Sequence, residues 1–419
     1  MIAATTRPLR LPGFPHLAGS YFVNELGNWL GEIALAILIF EATGSEIATA
    51  GLFLAMQFVP ALTTPAVVAR VEAWPTGRVL PLLYVAEAAT FAVLAVFADE
   101  GRFALAPVLA LAALDGIIAV TARTLTRASA AVILTPADQL RAGNGILNVG
   151  FTIGAAAGPA LGGLVVAGAG VEAALLGDAV SFLIVAGLLA VARLPSGEVT
   201  EAGWLRRLRG GLSYVRERVA LRNLLAAQAA AFVFFALVIP IEVAFAKDTL
   251  DAGNVGYGLL LAAWGTGMVS GSVVFASLRR VHLTTLIAFS TLAIGLAYLA
   301  IAASPTLAIA CGASVVGGLG NGVQWVAIVT EVQELTHRGY QARVVSLLES
   351  VGSAMPGVGF LLGGAIAALF SPRASYAVAG VGVLVVLTFA IIALRGVRWE
   401  RPREVDDEGE LGGDALTTA

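Results

Sequence analysis

The sequence predicts an all-α membrane protein with twelve transmembrane helices in two pseudo-symmetric six-helix bundles. Three observations carry that prediction. Of the 419 residues, 58% are hydrophobic and only 13% charged, about half the charged share of a soluble domain. Apolar blocks of roughly 20 residues, enough to cross a bilayer, recur along almost the whole chain. The basic residues fall in alternate connections.

The blocks lie near 17–41, 47–69, 79–98, 103–126, 144–168, 172–192, 223–246, 255–278, 284–303, 306–329, 344–369 and 374–394. Short stretches with turn chemistry separate them, among them EATGSE, ADEGR, LDAGN and FSPRAS. With the N-terminus inside and the spans alternating, 22 of the 25 Lys and Arg residues fall on the inner side, leaving Arg102, Lys247 and Arg373 outside. A wrong span count would scramble this asymmetry. The pattern therefore predicts a multi-pass protein of the cell (inner or plasma) membrane with both termini cytoplasmic. The opening MIAATTRPLRLPGFPHLAG lacks a compact apolar run followed by a cleavage site, so the first span is expected to be retained.

The longest polar interruption, 193–222, splits the spans six and six. The predicted organisation is an N-terminal bundle (1–192), a cytoplasmic linker (193–222), a C-terminal bundle (223–394) and a disordered acidic cytoplasmic tail (395–419). Within the linker, WLRRLRGGLSYVRERVALRNLL reads as a basic amphipathic helix along the inner membrane surface. The halves echo each other. RAGNGILNVGFTIGAAAGPALGG (141–163) resembles RVVSLLESVGSAMPGVGFLLGG (343–364). Arg141 aligns with Arg343 and Gly150 with Gly352. After a one-residue gap, Gly158, Gly162 and Gly163 align with Gly359, Gly363 and Gly364. Parallel repeats of this kind are a transporter architecture, with the substrate site between the halves. Gly150, Gly154, Gly158 and Gly162 share one helix face, which permits close helix approach. Pro159 removes a backbone donor and can bend the span. Simple packing and a hinge-like role both fit.

The first span, YFVNELGNWLGEIALAILIF, carries two glutamates. At 100° per residue Glu25 and Glu32 point within about 20° of each other, with Asn28 about 60° away. A carboxylate near the bilayer centre costs about 2.5–3.5 kcal/mol, so such a face turns toward a cavity or another helix. Asp115 sits near the middle of the fourth span, with Arg123 about 12 Å nearer the inside. The seventh span offers Gln228, Phe232 and Phe235, the tenth Asn321, Gln324 and Trp325, and the first adds Trp29. Gathered round one cavity, as the resemblance given below implies, these polar and aromatic groups would suit an amphiphilic organic molecule. Taking a carboxyl out of water favours its neutral form. Glu25, Glu32 and Asp115 are therefore the candidates for proton coupling, and a structural pairing of Glu25 with Arg123 is the competing reading. For Glu87 and Glu349 helix-packing hydrogen bonds are expected, for Gln57 a role as interhelical glue, and for Asp178 capping or packing.

Other classes find no support. Cys311 is the only cysteine, so no intramolecular disulfide can form. His16, His282 and His337 have no metal-like or triad-like neighbours. No phosphate-binding glycine loop appears, so ATP hydrolysis is not expected. The chain is expected to be no enzyme, to need no metal or cofactor, to bind no nucleic acid and to be a monomer in the bilayer.

The 6+6 arrangement and GFTIGAAAGPALGG in the fifth span together resemble the major facilitator superfamily, whose antiporter motif would be carried by Gly150, Gly154, Gly158, Pro159, Gly162 and Gly163. LGNWLGEIALAILIFEATGS (26–45), RASAAVILTPADQLRAGNGILN (127–148) and GDAVSFLIVAGLLA (177–190) resemble its drug:H⁺ antiporter-3 branch of macrolide and siderophore exporters. The resemblance implies that spans 1, 4, 7 and 10 line a central cavity and that the loop holding Arg70 and Arg78 helps latch the inner gate; Arg123, as the possible bridge partner of Glu25, is a further gating candidate beside the glycines. Two departures stand out. The loop between spans 2 and 3 keeps only Arg70, Glu72, Gly77 and Arg78 of the family pattern, and Gly27-Asn28 stands where the branch often has Gly-Asp. The function expected is proton-coupled efflux of small, largely apolar organic molecules by alternating access. An importer or facilitator, or a non-transporting membrane receptor, are the alternatives.

Overall fold

The computed structural model describes residues 7–43, 46–99, 101–195, 203–278, 280–395 and 397. The predicted tail, Arg395 and Val397 apart, lies outside the described residues, as does 196–202 of the linker. Among the described residues there are helices and no strand. They are α1 (Phe14–Thr43), α2 (Glu46–Phe53), α3 (Val59–Val71), α4 (Thr76–Val96), α5 (Leu105–Leu134), α6 (Leu140–Val191), α7 (Trp204–Glu217), α8 (Val219–Ala236), α9 (Glu242–Ala244), α10 (Gly253–Ser277), α11 (Leu283–Ala303), α12 (Leu307–Glu334), α13 (Gln341–Leu369) and α14 (Pro372–Leu394). A π-helical turn, Leu54–Phe58, joins α2 to α3, and another, Phe245–Thr249, follows α9.

Eleven helical stretches among the described residues are long and apolar enough to cross a membrane. The twelfth crossing is concealed in α6, which runs for 52 residues. At 1.5 Å per residue that is about 78 Å, against roughly 30 Å of hydrocarbon. Gly170 divides it, with φ 88° and ψ 168°, a region open essentially to glycine alone. Each limb of α6 then crosses once, giving the twelve spans predicted. A Cβ at Gly170 would meet nothing within 4 Å. Gly170→Ala should therefore act through the backbone alone and cost about 1–3 kcal/mol, seen as a lower unfolding temperature of the purified protein in detergent.

The helix contacts obey the repeat read from the sequence. Across the midline, the first limb of α6 packs on α10, and α13 packs on α3; α12 meets α6, and α13 meets α5. Exchanging the halves turns each contact into its counterpart, as an axis along the membrane normal requires. Each half has its own apolar core. Leu35, Tyr84, Phe91 and Phe182 belong to the first, and Phe235, Phe245, Tyr298 and Tyr376 to the second. Outside them stands a ring of exposed apolar side chains, Leu361 at 79% and Phe370 at 77% among them. On a soluble protein so much exposed apolar surface would drive association; in a bilayer it meets acyl chains.

Candidate functional site

A row of glycines sets how deeply α1 sits. A Cβ at Gly150 would meet Phe22, at Gly154 the Cβ and backbone of Glu25, at Gly158 the Trp29 side chain, and at Gly162 Leu30 and Ile33. The row seats Glu25 and Trp29 backbone-close against α6. The second half repeats the device. Gly352 lies against Phe232, Gly359 against Val233 and Ala236 of α8, and Gly363 against Leu237 just past its end. Gly163 and Gly364, also in the echo, meet nothing within 4 Å. Pro159 lies within the α6 helix.

The turn Leu54–Phe58 has a cause in the sequence. Pro60 has no N–H to give the carbonyl of Met56, four residues back, and the ladder loosens there into a π-turn. Gly116 of α5 faces that freed carbonyl, and a Cβ there would stand 2.5 Å from its oxygen. The bulge turns Met56 and Gln57 into the space between the halves.

That space is a cavity of about 350 Å³. From α1 it receives Glu25, Asn28, Trp29 and Glu32; from α5, Asp115 and Arg123; from α8, Phe232; and from α12, Trp325. The sequence singled out all eight. It also receives Phe91, Arg127, Phe151, Glu349 and Ser353, which were not foreseen there. Glu25 and Asp115 are 3% and 4% exposed, and each has a carboxylate oxygen with no hydrogen-bond partner. Glu32 is half-buried. Among the described residues none of the three is in an ion pair; the cavity's guanidiniums pair elsewhere.

Those guanidiniums form the floor. Arg127 lies 2.9 Å from Glu349 of α13, and Arg123 lies 3.8 Å from it. Arg127 also donates to the Tyr21 hydroxyl at 3.0 Å and sits 5.6 Å from the ring centres of both Tyr21 and Trp325. The anticipated Glu25–Arg123 bridge gives way to this arrangement. Glu349 reaches Arg123 from the opposite half, a neighbour that a one-helix reading cannot supply.

Four other candidates stand outside the lining. Gln324 donates to Gln228 at 3.0 Å, both buried, and ties α12 to α8. Phe235 is buried in the second core, edge-on to Phe232. Asn321 is partly buried away from the lining. Glu87, expected to make packing hydrogen bonds, is fully buried with neither carboxylate oxygen partnered; Asp178 accepts from Ser181 at 2.8 Å, against Gly27 and Gly31.

Below the floor, the end bearing the basic connections is shut. Asn144 donates to Thr330 at 3.0 Å and to Gln333 at 2.6 Å, and Gln333 donates to the Arg127 carbonyl at 2.9 Å. Asn148 donates to Ser272 at 2.5 Å. The aligned arginines of the repeat are both latches. Arg141 lies 3.7 Å from Glu334 and donates to the Val281 carbonyl at 2.7 Å, while Arg343 donates to Glu72 at 2.7 Å. Glu72 thus carries the second latch, while the Arg70 and Arg78 side chains are exposed. Chemically, this is a closed-bottomed aromatic chamber whose free carboxyls can take up and give back protons. Among the described residues no group of His, Cys, Asp and Glu is arranged to hold a metal ion.

A family model described as transmembrane secretion effector matches residues 3–405. No curated protein matches the sequence. Among solved structures, the chain is similar to a bacterial homologue of the iron transporter ferroportin in an outward-facing state, with TM-score 0.76 and 20% identity over 92% of this chain and 100% of that one. It is also similar to the human organic anion transporter TETRAN, with TM-score 0.73 and 17% identity over 90% and 100%. The E. coli fucose:proton symporter FucP follows with TM-score 0.72 and 15% identity over 91% and 98%.

Proposed function

Since the chain belongs to the transmembrane secretion effector family of major facilitator superfamily transporters, we propose that it is a proton-coupled exporter of small, largely apolar organic molecules. The drug:H⁺ antiporter-3 branch is the subgroup that its motifs favour. The carrying observation is the cavity, where Glu25, Glu32 and Asp115 stand without a cationic partner between aromatic walls. Four carboxyls and two guanidiniums face it, counting Glu349, Arg123 and Arg127. That sign favours a substrate that is neutral or positively charged. Protons entering from the open side would neutralise the carboxyls and displace such a substrate. The basic connections favour a cytoplasmic position for the shut end, and on that reading this is the outward-open state of an alternating-access cycle. Glycine-seated helices α1, α6, α8 and α13 would then move as rigid pieces when the latches part. The membrane would be the cell membrane, the working unit a monomer and both termini cytoplasmic.

The test is transport in proteoliposomes under an imposed pH gradient, with a panel of lipophilic cations and neutral amphiphiles. The native chain should drive efflux only with the gradient. Glu32→Gln and Asp115→Asn should each cut gradient-driven flux at least about tenfold, a barrier change near 1.4 kcal/mol, while the protein still inserts. Full coupling in both variants would remove these residues from the mechanism. Flux unaffected by pH would point to a facilitator instead.

A further inference from the structure

At the basic end α7 binds both halves at once. Arg207 donates to the Ala69 carbonyl at 2.6 Å and lies 3.4 Å from the same Glu72 oxygen that Arg343 holds at 2.7 Å. Gly211 lies so close on the Arg343 stem that a Cβ would stand 2.9 Å from it. Tyr214 donates to the Leu335 carbonyl at 3.3 Å and accepts from the His337 N–H at 2.8 Å, and its ring stacks on Tyr340 at 4.4 Å. Burial pushes its phenol above the ordinary value, so it stays a hydroxyl at neutral pH. Arg207 thus reaches the first half, and Gly211 and Tyr214 the second. These contacts coexist only while the basic ends of the halves meet.

The opposite face of α7 is uncovered by the described residues and unusual for one turned to water. Leu205, Leu212, Arg209 and Arg216 on it are exposed, and Trp204 and Arg206 are exposed on its two flanks. At 100° per residue Leu205, Leu212, Arg209 and Arg216 fall within about 60° of arc, with the buried Arg207, Gly211 and Tyr214 on the far side. The acidic residue of this helix, Glu217, accepts from Ser213 at 2.5 Å. Arg218 alone separates α7 from the membrane helix α8, which fixes its depth at the bilayer edge. The adjoining loop adds Trp74, 60% exposed, with exposed Arg70 and Arg78 beside it. Apolar anchors mixed with guanidiniums at that depth match a surface of acyl ends and negative headgroups.

We propose that this outer face of α7 docks anionic phospholipid headgroups, and that the docked lipid holds α7 in the clamp that keeps the basic end shut. The lipid acts as an effector because it meets α7 as an ordered, bridging helix only in the closed arrangement. The proposal is independent of the substrate and of proton coupling.

The test uses the full chain in phosphatidylcholine liposomes with 0–40% phosphatidylglycerol. Spin labels at Ala73→Cys and Arg280→Cys, in a Cys311→Ser background, report the separation of the basic ends by pulsed dipolar spectroscopy. Phosphatidylglycerol should raise the ratio of short to long distances at least about threefold, and Arg206→Gln/Arg209→Gln/Arg216→Gln should abolish that response. Brominated phosphatidylglycerol should quench the fluorescence that Trp204→Phe removes. Glu72→Gln separates docking from clamping. It should keep the quenching and lose the lipid-dependent distance change. An undiminished lipid response in the triple variant, or no quenching of Trp204, would overturn the proposal.

Discussion

Arg127→Met is expected to cost about 3–5 kcal/mol of stability, Glu349→Met as much, and the two together far less than the sum. Both side chains are buried, at 4% relative exposure each. Removing Arg127 leaves the Glu349 carboxylate facing Arg123 at 3.8 Å and strips Tyr21 of its donor. Removing Glu349 leaves two guanidiniums together on the floor of the cavity without their shared carboxylate. Replacing both leaves Arg123, 26% exposed at the cavity, as the one remaining charge of the three, and two methionines fill similar volume. Thermal unfolding of the purified variants in detergent, read as a double-mutant cycle, should give a coupling above about 2 kcal/mol. Additive losses would show that the pair is screened by water. The double variant should also open the basic end more often, because this ion pair crosses the midline.

The second large effect distinguishes two neighbouring glycines. A valine at Gly363 would drive its Cβ into the Leu237 carbonyl, which is backbone and cannot turn aside. A valine at Gly364 meets nothing within 4 Å and looks outward. Gly363→Val should therefore lose about 3 kcal/mol, the upper end for overpacking, with poor recovery of monodisperse protein. Gly364→Val should stay within about 0.5 kcal/mol of the native chain. Size-exclusion profiles and unfolding temperatures of the two variants decide it. If both behave alike, α13 and α8 are not in backbone contact.

The spans and the repeat of the two halves could be read from the chain because they rest on local physics. Lipid demands runs of apolar residues, and the arginines avoid one side of it. Gly150, Gly154, Gly158 and Gly162 announced a close approach, though the sequence could not say to which helix. The polar face of α1 was legible for the same reason, since carboxyls in a span must face away from hydrocarbon. What stayed hidden depends on partners from other helices. Nothing near Gln228 says that Gln324 will meet it and withdraw both from the cavity. Glu349 read as packing, because its companions Arg123 and Arg127 lie more than two hundred residues away in the other half. Met56 and Gln57 carried one usable sign, the proline that follows them, which frees a carbonyl and turns their stretch of helix inward.

The twin arginines Arg141 and Arg343 have a kinetic consequence. They stand on opposite sides of the molecular dyad, each fastened to the other half. A rocking motion about an axis in the membrane plane strains both fastenings together, so neither can be released at leisure while its counterpart holds. Switching should then be cooperative, with half-released forms too short-lived to accumulate. A lesion on either flank should shorten the dwell time of the whole conformer.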